Sequence, residues 1–332
     1  MSAVHSNISV FVPHIGCPNM CSFCNQRHIT GKVFAPRADD VRAAVETAAR
    51  SPKYDPETTE IAFFGGSFTA VNRNYMTELL KTASAFVEDG TVCGIRISTR
   101  PDAIDGEVLD LLKRYHVTAI ELGAQSLDNR VLAMNNRGHT AENVGRAAAL
   151  IREYGFELGL QMMTGLYCDN DETALKTVRG IISMKPDTVR IYPTIVLKDT
   201  DLAALYADGI YQPQSIDCAV DLAAKMLLMF ESAGIRVIRL GLHSIENEAY
   251  IAGPWHPAFS ELCQSKIYLE KARNVLGEKG EYILFVNKSS VSKMTGQKRE
   301  NLTKLAREGY SCRVKTDDTL GLYEVRAERS VE

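Results

Sequence analysis

From residue 8 onward, short apolar or β-branched runs alternate with longer segments of helical period. The runs at 8–12, 61–64, 94–98, 119–123, 158–163 and 188–192 each close on Gly, Pro, Ser or Thr, as buried parallel strands do. The clearest helix between them takes Thr140 as its N-cap, sets Val144, Ala147, Ala148, Ile151 and Tyr154 on one face, and stops at Gly155. Six such units predict an α/β fold, a partial (β/α)6 TIM-type barrel, rather than a sandwich.

After Tyr192 the rhythm changes. Ser215 and Asp217 start a helix with Ala219, Leu222, Ala223, Met226, Leu227 and Phe230 on its face and Gly234 at its end, and 235–240 reads as one more strand. Gly253-Pro254 breaks the chain before a helix over about 258–276. The tail reads as β, α, β, β over 282–286, 297–308, 311–314 and 322–325, with no internal repeat. We therefore expect a core barrel at 1–197, a mostly helical extension at 198–276 and a small basic αβ module at 277–332.

Composition narrows the class. The chain has 332 residues, 45% of them hydrophobic and 24% charged, with only 11 prolines, which excludes global disorder and collagen-like structure. No run reaches the ~18 apolar residues of a membrane span. The start has no basic segment followed by a cleavage site, so a cytoplasmic location without a membrane partner is expected. The formal charge is -3. It is uneven: 288–315 holds Lys288, Lys293, Lys298, Arg299, Lys304, Arg307, Arg313 and Lys315 against Glu300 and Glu308. Such a cationic stretch points to a polyanionic partner, and a solvated helix face is its bland alternative.

Of the eight cysteines, Cys17, Cys21 and Cys24 fall together on a loop after the first strand. Cys93, Cys168, Cys218, Cys263 and Cys312 are scattered singly and are expected to be small buried hydrophobes. Three thiolates leave one metal position open. That suits a catalytic [4Fe–4S] cluster better than a closed zinc site, for which no second CxxC or HxxxH pair exists. His14 and His28 flank the loop and offer the zinc alternative.

The C-x3-C-x2-C spacing with Phe23 resembles the radical S-adenosylmethionine (radical SAM) superfamily. Gly65-Gly66-Ser67-Phe68-Thr69, Ser98-Thr99-Arg100-Pro101-Asp102, Gly123-Ala124-Gln125-Ser126, Asn136-Arg137-Gly138-His139-Thr140, Gln161-Met162-Met163-Thr164-Gly165-Leu166 and Tyr192-Pro193-Thr194 follow in order. Together they resemble the radical SAM domain of the Elongator catalytic subunits, from about residue 11 to 205 and more loosely at 256–262.

The resemblance implies that Cys17, Cys21 and Cys24 hold a [4Fe–4S] cluster. It implies that Phe23, Gly65, Gly66, Ser67, Ser98, Gln125, Arg137 and Gln161 bind SAM, with Arg137 at its carboxylate. Ser98 replaces a ribose-binding carboxylate of many relatives, and Gln161 replaces an acid of some. The implied reaction is reductive cleavage of SAM to methionine and a 5′-deoxyadenosyl radical that abstracts hydrogen, fed by a donor such as flavodoxin or ferredoxin. Tyr192, Lys198 and Met163 are candidates for the substrate side, where packing roles are the alternative. The implied substrate is a nucleoside of RNA, specifically transfer RNA, met through 288–315. No Gly-rich acetyl-CoA loop is visible, so acetyl-CoA-dependent carboxymethylation is not expected. Two other readings remain open: radical oxidation of a small molecule such as a porphyrinogen, and a non-catalytic Fe–S or zinc protein.

Overall fold

The computed structural model describes residues 5–12, 17, 20–25, 35–242 and 248–330. Seven parallel strands form one sheet: β1 (Ser6–Val12), β2 (Thr59–Gly65), β3 (Gly94–Thr99), β4 (Val117–Gln125), β5 (Glu157–Thr164), β6 (Thr188–Pro193) and, after the short β7 (Val196–Leu197), β8 (Arg236–Leu240). They stand in chain order across the sheet, so each connection must cross over one face, and each does so through helix. These helices are α1 (Ala38–Ala49), α2 (Arg73–Glu88), α3 (Gly106–Arg114), α4 (Asn129–Met134), α5 (Ala141–Glu153), α6 (Asp171–Met184), α7 (Asp201–Ala207) and α8 (Ile216–Ser232). The sheet curls into an open partial barrel whose edges are β1 and β8. The six strands expected for the barrel are joined in the same sheet by β8, the further strand expected at 235–240.

Local chemistry sets the boundaries. Thr140 and Asn143 form a capping box at the start of α5, and Gly155, at φ +80°, follows its end. Ser215 accepts from the Cys218 amide and caps α8. On β5, Leu158, Leu160 and Met162 are buried toward the helices, whereas Gln161 and Met163 alternate with them on the barrel interior.

β9 (Tyr250–Ala252) pairs antiparallel with β7. The long α9 (Phe259–Val275) then leads into β10 (Gly280–Val286), α10 (Val291–Thr295), α11 (Glu300–Arg307), β11 (Tyr310–Thr316) and β12 (Arg326–Arg329), with β10 central in a three-stranded sheet. The last strand therefore lies at 326–329 and not at the expected 322–325. Tyr323 explains the shift: it sits at φ +59°, and its amide donates to the Tyr268 hydroxyl at 2.9 Å instead of to a sheet. Leu284, Val286, Met294 and Leu305 belong to the same apolar cluster as the barrel core, through Ile267, Tyr268 and Ala272 of α9. Among the described residues no helix is long and apolar enough to cross a membrane.

Candidate functional site

Every strand of the barrel ends at one rim, and the interior below that rim is charged. Glu60 is bonded to Arg96 at 2.8 Å and to His5 at 3.0 Å, and Arg96 reaches Glu157 at 3.1 Å. Glu121 is clamped by Arg190 through two bonds of 2.7 and 2.8 Å. Burial alone would raise the Glu60 carboxyl, but the His5 bond and the Arg96 charge outweigh it and hold it at about 2. None of this pairing is visible in sequence, because the partners come from different strands or, for His5, from just before β1. Its one signal is a charged residue inside each apolar run: Arg96, Glu121 and Arg190.

Above this layer one cavity is lined by Cys17, Cys21, Gly66, Ser67, Ser98, Thr99, Arg100, Gly123, Arg137 and Gln161. The β2 turn is built for close approach. Gly65 sits at φ +110°, where a Cβ would lie 2.8 Å from the Val12 carbonyl, and the Gly66 amide donates to that carbonyl at 2.8 Å. The Ser67 and Thr99 hydroxyls bond at 2.9 Å, and Ser67 Oγ accepts from the Arg100 amide at 3.1 Å.

Arg137 ties the cavity together. Its Nη2 donates to the Gly123 carbonyl at 2.6 Å and its Nη1 to Cys21 Sγ at 3.0 Å, while Nε is buried without a partner. Gln125, at φ +62°, likewise buries an unpartnered Oε1. The Gln161 amide donates to Glu121 at 2.8 Å and to Ser98 Oγ at 3.3 Å.

The cysteine loop is anchored from outside the cavity. Ser22 bonds Asn135 through both its amide, at 3.2 Å, and its hydroxyl, at 2.9 Å, and the Leu202 amide donates to the Ser22 carbonyl at 2.8 Å. Burial pushes the Cys17 thiol up, and it pushes Cys24 to about 12, helped by the neighbouring Cys21 and Cys17. Burial thus keeps the Cys17 and Cys24 thiols protonated until a cation joins them and the third sulfur, Cys21. That all-sulfur donor set, opening into a cavity lined by Arg137, fits a [4Fe–4S] cluster with one iron left for a second ligand. Among the described residues no three His, Cys, Asp or Glu side chains gather around a single ion. His14 and His28 lie outside the described residues.

The structure thus gathers Cys17, Cys21, Gly66, Ser67, Ser98, Arg137 and Gln161 at one cavity and adds Thr99, Arg100 and Gly123, which the sequence reading did not single out as site residues. Cys24 and Gly65 adjoin it, and Gln125 stands beside Gly123 and Arg137. Phe23 packs elsewhere, against Val196, Leu202 and Tyr211. Met163 and Tyr192 are register partners further along the interior, and Lys198 is exposed, so none of the three lines the cavity.

Comparison with known proteins agrees with this geometry. Residues 11–181 match the radical SAM superfamily, and 186–270 match the radical SAM C-terminal domain. A tRNA uridine(34) acetyltransferase of Dehalococcoides mccartyi is 25% identical over 239 residues, 62% of this chain and 52% of that protein. Elongator complex protein 3 of Saccharomyces cerevisiae is 30% identical over 193 residues, 52% of this chain and 35% of the yeast protein. The chain therefore spans about half the length, or less, of these relatives. Among solved structures, the archaeal Methanocaldococcus infernus Elp3 superposes with a TM-score of 0.67 at 21% identity, covering 82% of this chain and 64% of that one, which shows a shared fold. With just over half of its length inside the superfamily match and its three clustered cysteines at the barrel rim, this chain belongs to the radical SAM enzymes and is similar to the Elongator proteins among them.

Proposed function

We propose that this enzyme modifies a nucleoside of RNA, specifically of transfer RNA, with its cofactors held in the cavity at the barrel rim. The superfamily implies SAM and a [4Fe–4S] cluster. When bound, they supply one-electron cleavage of SAM and a carbon radical that takes hydrogen from the substrate. The work of the chain is positioning. Cys17, Cys21 and Cys24 hold iron. The open backbone at Gly65 and Gly66, with Ser67, admits the methionine end. The guanidinium of Arg137 offers its unpaired Nε to a carboxylate, and Gln125 offers its unpaired Oε1 to a donor. Ser98 and Gln161, hydrogen-bonded to each other at 3.3 Å, would meet the ribose. Electrons come from a small reductant of the flavodoxin or ferredoxin type.

The observation that carries the RNA reading is the cationic tail. Of its eight basic residues only Lys304 has an acidic partner, Glu300 at 2.7 Å, among the described residues, and Glu308 is taken by Arg273 of α9. Arg313 and Lys315 lie on the same face of the edge strand β11, and both are exposed. Unpaired cations on one module suit phosphates, and the relatives named for transfer RNA uridine point the same way.

Retention of single-stranded RNA across a salt series tests this. Replacing Lys293, Lys298, Arg299 and Lys304 together by Gln flattens the salt slope by about 0.7 for each phosphate that is no longer neutralised. A parent protein that holds no RNA, or a quadruple variant with the parental slope, contradicts the reading. Mass spectrometry of RNA that co-purifies then names the nucleoside.

A further inference from the structure

Beyond the cofactor cavity the barrel interior continues to its open edge, and its charges there do not balance. Strand register sets Gly123 beside Gln161, Gln161 beside Arg190, and Arg190 beside Arg239. Gly123 and Gln161 line the cavity, so Arg239 lies two strands farther along the same row, about 10 Å from Gln161 at ordinary strand spacing. β8, which carries it, is the last strand of the sheet, and among the described residues no further strand pairs with it.

The three interior arginines are treated differently. Arg96 is flanked by Glu60 and Glu157, and Arg190 is locked on Glu121 with its guanidinium 5.3 Å above the Phe64 ring. Arg239 is half-buried. Its Nε donates to the Gly241 carbonyl at 3.1 Å, and among the described residues no carboxylate lies within ion-pair distance. Burial above all disfavours its charge, Tyr192 offsets part of this, and the neighbouring Arg190 adds to it. A half-buried cation without a counterion is costly to keep, unless an anion arrives from outside.

We propose that Arg239, with Arg190 and Tyr192 beside it, forms an anion-binding subsite for the substrate at the open edge of the barrel, taking the phosphate of a nucleotide or a carboxylate. A guanidinium held by one nitrogen still presents a planar pair of donors to two oxygens. Arg190, fixed by Glu121, adds field without moving. The subsite is separate from the place assigned to the SAM carboxylate, because Arg137 lines the cavity on the other side of Gln161. It also gives Tyr192 a place beside the substrate rather than at the cofactor. The subsite rests on reading this interior as the reaction chamber, and it deepens that reading by placing an anionic group two strands from the cofactor.

Calorimetric titration of the full chain, its Arg239→Gln variant and its Arg239→Lys variant with uridine 5′-monophosphate, uridine and succinate separates the possibilities. The expected result is that the parent binds the monophosphate at least tenfold more tightly than uridine, that Arg239→Gln loses this preference, and that Arg239→Lys keeps part of it. The readout is the ratio between two ligands on one protein, taken only on variants that circular dichroism and retained uridine binding show to be folded. If succinate binds the parent and the monophosphate does not, with Arg239→Gln abolishing binding, the anion subsite stands as a carboxylate site and the RNA reading fails. Failure of the parent to bind either anion at millimolar concentration, or the same ratio in parent and Arg239→Gln, overturns the proposal.

Discussion

Arg137 is the side chain on which the cavity turns, since it touches the cysteine loop through Cys21 and the end of β4 through Gly123. Arg137→Ala is expected to weaken SAM binding tenfold or more, because one charge-assisted partner contributes about 1.5–3 kcal/mol. Equilibrium dialysis on the folded variant measures it, and unchanged affinity would remove Arg137 from the site. His139, two residues on, is 5% exposed and keeps its ring neutral. Burial first, then the Arg137 charge, lowers it from 6.5 to about 4. Its folded value lies below its unfolded one, so its contribution to stability is whole above about 6.5 and lost as pH falls toward 4. Denaturant unfolding at several pH values should show parent stability declining by roughly 3 kcal/mol more than His139→Gln across that window. Parallel pH profiles would contradict it.

At the scale of elements, the joint between α9 and the tail is made by polar atoms as much as apolar ones. The Tyr268 hydroxyl donates to Ser290 Oγ at 2.6 Å and accepts from the Tyr323 amide, all of them buried. Tyr268→Phe leaves two buried groups unsatisfied, at about 1–3 kcal/mol each. Hydrogen exchange should then quicken in β10 and α11 while β3 and β4 keep their protection, and uniform quickening across both would mean the two parts unfold as one. This joint also marks the limit of what was legible. The six barrel strands could be read because parallel strands buried on both faces spell themselves as local apolar runs, and Thr140 and Ser215 announced their helices through caps. The placement of β12 could not, since the position of Tyr323 is set by Tyr268, 55 residues away. The interior charges belong to the same class: Glu121 reads as a misfit in an apolar strand until Arg190 and Gln161 from two other strands surround it. The rim residues were legible only because their order along the chain resembles a known family, and Arg100 and Thr99 escaped because their role depends on Ser67.

At the scale of the whole molecule, a polar-lined barrel carries cysteines and Arg137 at its rim, cations at its open edge, and a basic module bolted to its flank by α9. These three regions draw on different stretches of chain, yet one apolar cluster runs beneath them. Cofactor chemistry and the proposed substrate capture are therefore separable: changes in the tail are expected to alter RNA retention, and changes at the rim to alter SAM cleavage. The most direct test is anaerobic reconstitution of the full chain with iron and sulfide, followed by reduction with dithionite in the presence of SAM. The account predicts about four irons per chain, release of 5′-deoxyadenosine, and loss of both in each of Cys17→Ala, Cys21→Ala and Cys24→Ala but in none of Cys93→Ala, Cys168→Ala, Cys218→Ala, Cys263→Ala and Cys312→Ala. A reconstituted parent that binds no iron, or a Cys21→Ala variant that keeps its iron and still releases 5′-deoxyadenosine, would contradict it.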